Sequence, residues 1–98
     1  MHEKRRSRRT ASKVPLEIRV IDTHRVVLTA VINRHGALIH SPVPWAIGTL
    51  LEIRNQKTGV CAQGRVVWSG GEDVPGSYKL GVEFEAEMSE FWGDDYRE

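Results

Sequence analysis

Tyr78, Leu80, Val82 and Phe84 alternate with Lys79, Gly81 and Glu83. A period of two puts every apolar side chain of such a run on one face of an extended strand. The same rhythm sets Leu16, Ile18 and Val20 against Glu17 and Arg19, and Leu51 and Ile53 against Glu52 and Arg54, in strands predicted over Leu16–Val20 and Gly48–Arg54. From Arg25 to Asn33 the apolar run is continuous and rich in β-branched residues, which predicts a strand buried on much of both faces; a helix is the weaker reading. A turn near Asp22-Thr23-His24 separates it from the first strand. Asn33-Arg34-His35-Gly36 predicts a turn with Gly36 at positive φ, and Ala37–His40 a short strand after it. Ser41-Pro42-Val43-Pro44 then breaks the ladder, because proline has no amide hydrogen to donate. Asn55–Gly59 predicts a hairpin loop and Val60–Ser69 its returning strand, interrupted at Gly64 by a bulge or barrel corner. Gly70–Gly76 reads as a polar loop. In Ala86–Trp92, Met88, Phe91 and Trp92 are spaced for a short amphipathic helix or turn. Six short strands at hairpin spacing, with no βαβ rhythm, predict an all-β antiparallel barrel or sandwich, and closure into a barrel removes the exposed sheet edges of so valine-rich a chain.

At 98 residues the chain has room for one core and not two. Its net charge of +1 conceals a sharp asymmetry. Residues 1–13 carry Lys4, Arg5, Arg6, Arg8, Arg9 and Lys13 against Glu3 alone, with almost nothing apolar to bury, and so predict a flexible basic arm ahead of a domain over 14–98. From residue 72 onward acidic residues dominate, and pairing of the arm with this tail is the alternative to an outside partner. The single cysteine, Cys61, excludes an internal disulfide framework and a cysteine-rich zinc site. No run approaches the roughly 20 apolar residues of a membrane span, and the basic start lacks the apolar stretch of a signal peptide. A cytoplasmic protein is the expectation.

The histidines, the cysteine and the carboxylates form no recognisable set of nucleophile, base and orienting group, so no enzymatic activity is expected. His35 and His40 could share a surface, but no third ligand is spaced to complete a metal site with them. Cys61 reads as a small core or interfacial residue. Trp45, Trp68 and Trp92 read as core or rim residues, because they sit in different elements without common spacing. The arm is different in kind. Clustered arginines present planar forks that match phosphate oxygens and stack on bases, which points to a phosphate-rich ligand.

Arg9-Thr10-Ala11-Ser12-Lys13 leading into Val14-Pro15-Leu16, then Val31–Ile39, Gly64-Arg65-Val66-Val67-Trp68 and Tyr78–Phe84, together resemble a PilZ domain. The likeness covers residues 5 to about 92. It implies a six-stranded PilZ-type antiparallel β-barrel, with a short C-terminal helix or turn, that serves as a receptor for the bacterial second messenger cyclic di-GMP. In that family the ligand is held by an RxxxR pair before the first strand and a (D/N)xSxxG turn after the second. Here the pair falls on Arg9 and Lys13, with Arg5 and Arg9 as a register four residues further from the strand. The turn motif falls on Val31, Asn33 and Gly36, of which only Gly36 matches. Lysine lacks the guanidinium fork and valine has no hydrogen-bonding group. Arg5, Arg6, Arg8, Arg34 and Asn33 are the residues able to compensate. Three readings follow: a cyclic di-GMP receptor that relays ligand binding to a partner protein through ordering of the arm, a PilZ-like protein-interaction module that binds no nucleotide, and, ranked last because the second half is acidic, nonspecific nucleic-acid binding.

Overall fold

The computed structural model describes residues 10–21, 23–86 and 88–96 of the chain. Its strands are β1 (Thr10–Ala11), β2 (Pro15–Val20), β3 (Thr23–Asn33), β4 (Gly36–Ser41), β5 (Leu50–Asn55), β6 (Cys61–Val74) and β7 (Ser77–Phe84), followed by a 3₁₀ helix at Ser89–Asp95. They hydrogen-bond in the order β1-β3-β2-β5-β6-β7-β4, and β4 returns to pair with β3. Strands β2 to β7 therefore close into the expected six-stranded antiparallel barrel, and β1 is an added segment on β3. Among the described residues no helix is long and apolar enough to cross a membrane.

Alternation decides what goes inside. Leu16 and Ile18, Leu51 and Ile53, Ala62 and Val66, and Leu80, Val82 and Phe84 all point into one core with Val27, Ile32 and Ile39. One end of that core is plugged by the C-terminal segment. Phe84 and Phe91 lie 4.8 Å apart between ring centroids. Phe91 meets Trp92 edge-on at the same distance and an angle of 86°. Two polar links fix this plug to the ends of separate hairpins: the Trp92 Nε1–H donates to the Asn33 carbonyl at 2.8 Å, and the buried Asn55 donates from Nδ2 to the Phe91 carbonyl at 2.9 Å.

Several local expectations are corrected. β3 starts at Thr23, because the β2–β3 turn is tighter than Asp22-Thr23-His24 implies: Val20 pairs with Thr23, and Ile21 takes the left-handed conformation at φ 55°. β3 is not buried on both faces, since Val26 and Leu28 are about half exposed on the outside. β6 continues through the expected loop as far as Val74, its register against β7 shifting between Val66 and Trp68, Ser69 and Gly71, and Glu72 and Val74. No bulge sits at Gly64. That residue faces Leu51 and Phe84 in register, and a Cβ there would come within 2.5 Å of the Glu83 carbonyl oxygen. Cys61 is exposed rather than in the core, because Ala62 and Val66 take the inward parity of β6.

Candidate functional site

β1 and β2 lie end to end along β3. Thr10 faces Ile32 and Ala11 faces Val31, while Pro15 faces Leu28 and Leu16 faces Val27. Between these ladders three residues, Ser12 to Val14, oppose two, Thr29 and Ala30, so the strand bulges around the exposed Lys13. The segment that the sequence assigns to the arm therefore joins the sheet at Thr10, beside the end of β3.

The β3–β4 turn is fastened on several sides. Asn33 Oδ1 accepts from the His35 N–H at 2.8 Å and the Gly36 N–H at 3.1 Å. That pattern lets a short side chain shape a turn from within. The His35 carbonyl accepts from the Phe84 N–H at 2.7 Å and the Arg34 carbonyl from the Met88 N–H at 3.1 Å. Gly36 is not in the left-handed region, against the sequence-based expectation. Its requirement is steric: a Cβ would lie 2.0 Å from the Val82 carbonyl oxygen, where β4 and β7 run close together.

Above this turn, on the outer wall of the barrel, a cleft of about 560 Å³ is lined by Val31, Asn33, Gly36, Leu38, Trp68 and Glu83 among others. Trp68 forms one wall. It is 47% exposed, faces Gly81 across the β6–β7 pair, and lies where Cβ atoms on Gly70 or Gly81 would touch it. Of the residues singled out from sequence, Asn33 and Gly36 line this cleft, Arg34 belongs to the turn beneath it, and Lys13 stands on the bulge beyond β1. Arg5, Arg6, Arg8 and Arg9 lie outside the described residues. Trp68, Leu38 and Glu83 were not picked out from sequence. The signal for Trp68 was present in the small residues around it, Gly70 and Gly81, but the bulge after Val66 changes the parity of β6 and conceals it.

A second hollow, of about 500 Å³, lies over Glu17, Arg19, His24, Glu52, Arg54 and Cys61. Its charges are already engaged with one another. Glu17 accepts from Gln56 Nε2 at 3.0 Å and Arg54 Nη1 at 3.2 Å, and Arg19 stands 3.8 Å from Glu52. The Gln56 hydrogen bond, helped by His24 and Arg54, holds the Glu17 carboxyl below its ordinary value against a smaller opposing effect of desolvation. A depressed carboxyl stabilises the fold above the unfolded-state value and ceases to do so as pH falls through the folded one. Side-chain carboxyl shifts followed by NMR should thus show Glu17 titrating below the usual glutamate value of about 4.3, and Gln56→Ala should raise its midpoint; an unmoved midpoint counts against the hydrogen bond as the leading cause. His35 directly precedes β4 and His40 lies within it, paired with Leu28 and Lys79, and among the described residues no group of three or more His, Cys, Asp or Glu is placed to hold a metal.

A family model described as PilZ domain matches residues 3–90. No curated protein matches the chain. Among solved structures, the Bacillus subtilis inhibitor of motility, MotI/DgrA, superposes with a TM-score of 0.71 at 14% identity, over 96% of this chain and 47% of that one. The chain thus spans about half the length of that protein, and the likeness is one of fold.

Proposed function

Since the chain belongs to the PilZ domain family, whose members generally act as receptors for cyclic di-GMP, we propose that it is a binding module for that nucleotide rather than an enzyme, with the cleft beside the β3–β4 turn as its site. One observation carries this reading: the pairing of Thr10 with Ile32 and Ala11 with Val31 joins the C-terminal end of the basic segment to the strand that leads into the turn. Val31 and Ile32 of that strand line a cleft whose volume falls within the range of about 300–1,000 Å³ usual for ligand sites, and we read the basic segment and the turn as the two halves of a phosphate-and-base clamp over it. Arg9 directly precedes Thr10 in the sequence. On this reading Arg9 and Lys13 neutralise the phosphates, Arg5, Arg6, Arg8 and Arg34 supply further guanidinium groups, Asn33 and Gly36 form the opposite wall, and the half-exposed Trp68 offers its face to a guanine. Drawing the arm onto the cleft would change the surface presented to a partner protein, which is how binding would be relayed.

Titration with cyclic di-GMP followed by amide shifts tests this, with calorimetry on the Arg9→Ala variant as control. Shifts at Arg9, Lys13, Gly36 and Trp68 are expected; none at Arg9, Lys13 or Gly36 at near-millimolar ligand removes the reading. Lys13→Arg should tighten binding about tenfold, because a bidentate fork replaces a point charge and a hydrogen bond to a charged group is worth about 1.5–3 kcal/mol.

A second reading has its own support. Val31 lines the cleft without a hydrogen-bonding group, and the Gly36 amide is already engaged by Asn33. A PilZ module working through protein contacts alone fits those two facts, and recovery of a partner equally well with and without the nucleotide would favour it.

A further inference from the structure

Two breaks in strand register meet at one buried hydroxyl. Around Lys13 the first strand carries an extra residue relative to β3, and between Thr29 and Val31 β3 carries an extra residue relative to β4. Thr29 lies at the junction with no exposed surface. Its Oγ1 accepts from the Val14 N–H at 2.8 Å and donates to the Ser12 carbonyl. Its own N–H donates to the Val14 carbonyl at 3.1 Å, and the Ser12 N–H donates to the Ala30 carbonyl at 3.1 Å.

The bulge would otherwise leave the Ser12 carbonyl and the Val14 amide without a ladder partner inside the sheet, which buried backbone groups rarely tolerate. One hydroxyl answers both, since a single oxygen can donate and accept at once. An apolar side chain of the same shape can do neither. Two consequences follow. The extra residue at Lys13 turns that side chain out to solvent beside β1, and the shift at Ala30 lets Ile32 face the core while Val31 faces the cleft.

We propose that Thr29 is a positioning residue: through its hydroxyl it sets the projection of Lys13 and the docking of β1 beside the ligand turn, without touching the ligand. Its binding consequence rests on the cyclic di-GMP reading above, whereas the clamp itself is open to test without ligand. Thr29→Val keeps the β-branched shape and removes the hydroxyl, and Thr29→Ser does the reverse. Should the valine variant fail to fold, Thr29→Cys, with its weak donor, carries the same comparison.

In the full chain, Thr29→Val should speed hydrogen exchange at the Ser12 and Val14 amides about tenfold or more and weaken cyclic di-GMP binding about tenfold, the loss of one charge-directed contact. Thr29→Ser should restore both. Because Thr29 acts through Lys13, the double variant Thr29→Val, Lys13→Ala should bind no more weakly than Lys13→Ala alone. Losses that multiply in the double variant, or unchanged exchange at Val14, overturn the assignment. A wild-type chain that binds no cyclic di-GMP overturns the receptor reading together with the binding half of this one, while unchanged exchange at Val14 sinks the clamp alone.

Discussion

Gly36→Ala should cost more than about 4 kcal/mol and leave the domain largely unfolded at ambient temperature, a size of effect reserved for a few steric and burial mechanisms. At an unstrained site the same change tends to stabilise by about 0.4–1 kcal/mol through the unfolded state. Here the sign reverses, because the new methyl would stand 2.0 Å from the Val82 carbonyl oxygen and 3.0 Å from the Glu83 Cα, both backbone atoms with no rotamer to move. β4 must then part from β7, and with it goes the closure of the barrel. Gly59→Ala is the control: its site has open space but a φ of +80°, so only the left-handed penalty of about 1–2 kcal/mol applies. Urea midpoints for the two variants decide the matter. Equal shifts would mean that Gly36 matters for conformational freedom and not for the close approach of the two strands.

Trp92→Ala should be nearly as damaging, at about 3–5 kcal/mol for a fully buried aromatic, in a domain whose whole stability is about 5–15 kcal/mol. The indole is wholly buried, meets Phe91 and Phe84, and holds the Asn33 carbonyl. Trp92→Phe separates these roles. It keeps most of the apolar contact and leaves the Asn33 carbonyl without its donor, for about 1–3 kcal/mol. Because that carbonyl belongs to the β3–β4 turn, the phenylalanine variant should also shift the amide resonances of His35 and Gly36. If those resonances stay in place while thermal stability falls, the plug stabilises the barrel without shaping the turn.

How much of this was legible in the sequence depends on parity. Where alternation runs unbroken, as from Tyr78 to Phe84, strand, face and core residues are read off directly, and Leu80, Val82 and Phe84 are all buried. Where a bulge intervenes the reading slips. The Arg25–Asn33 run shows no alternation because Val26 and Leu28 are apolar on the outer face and β3 changes face at Ala30, and the place of Trp68 on the outer wall follows from a shift after Val66 that the sequence does not mark. Gly36 is expected at positive φ and is instead required by close backbone, since sequence marks a glycine without telling a left-handed bend from a crowded backbone. Cys61 follows the general tendency of free cysteine to be buried and is exposed here because parity overrides residue type. The order of the sequence blocks is what carries family membership, and it needs no such detail. The site residues depend on both: Asn33 and Gly36 border the cleft, whereas the arginines before Thr10 enter it only as a proposal.

The division of the first strand at Lys13 has a further consequence. β2 supplies Leu16 and Ile18 to the core, but β1 contributes only a half-buried Thr10 and an exposed Ala11. Unzipping β1 from the end of β3 therefore wets almost no apolar surface, and the cost is a handful of hydrogen bonds that water can replace. Opening at that corner should be far cheaper than parting the strands that carry the core, so β1 can let go and re-seat many times within the lifetime of one closed barrel.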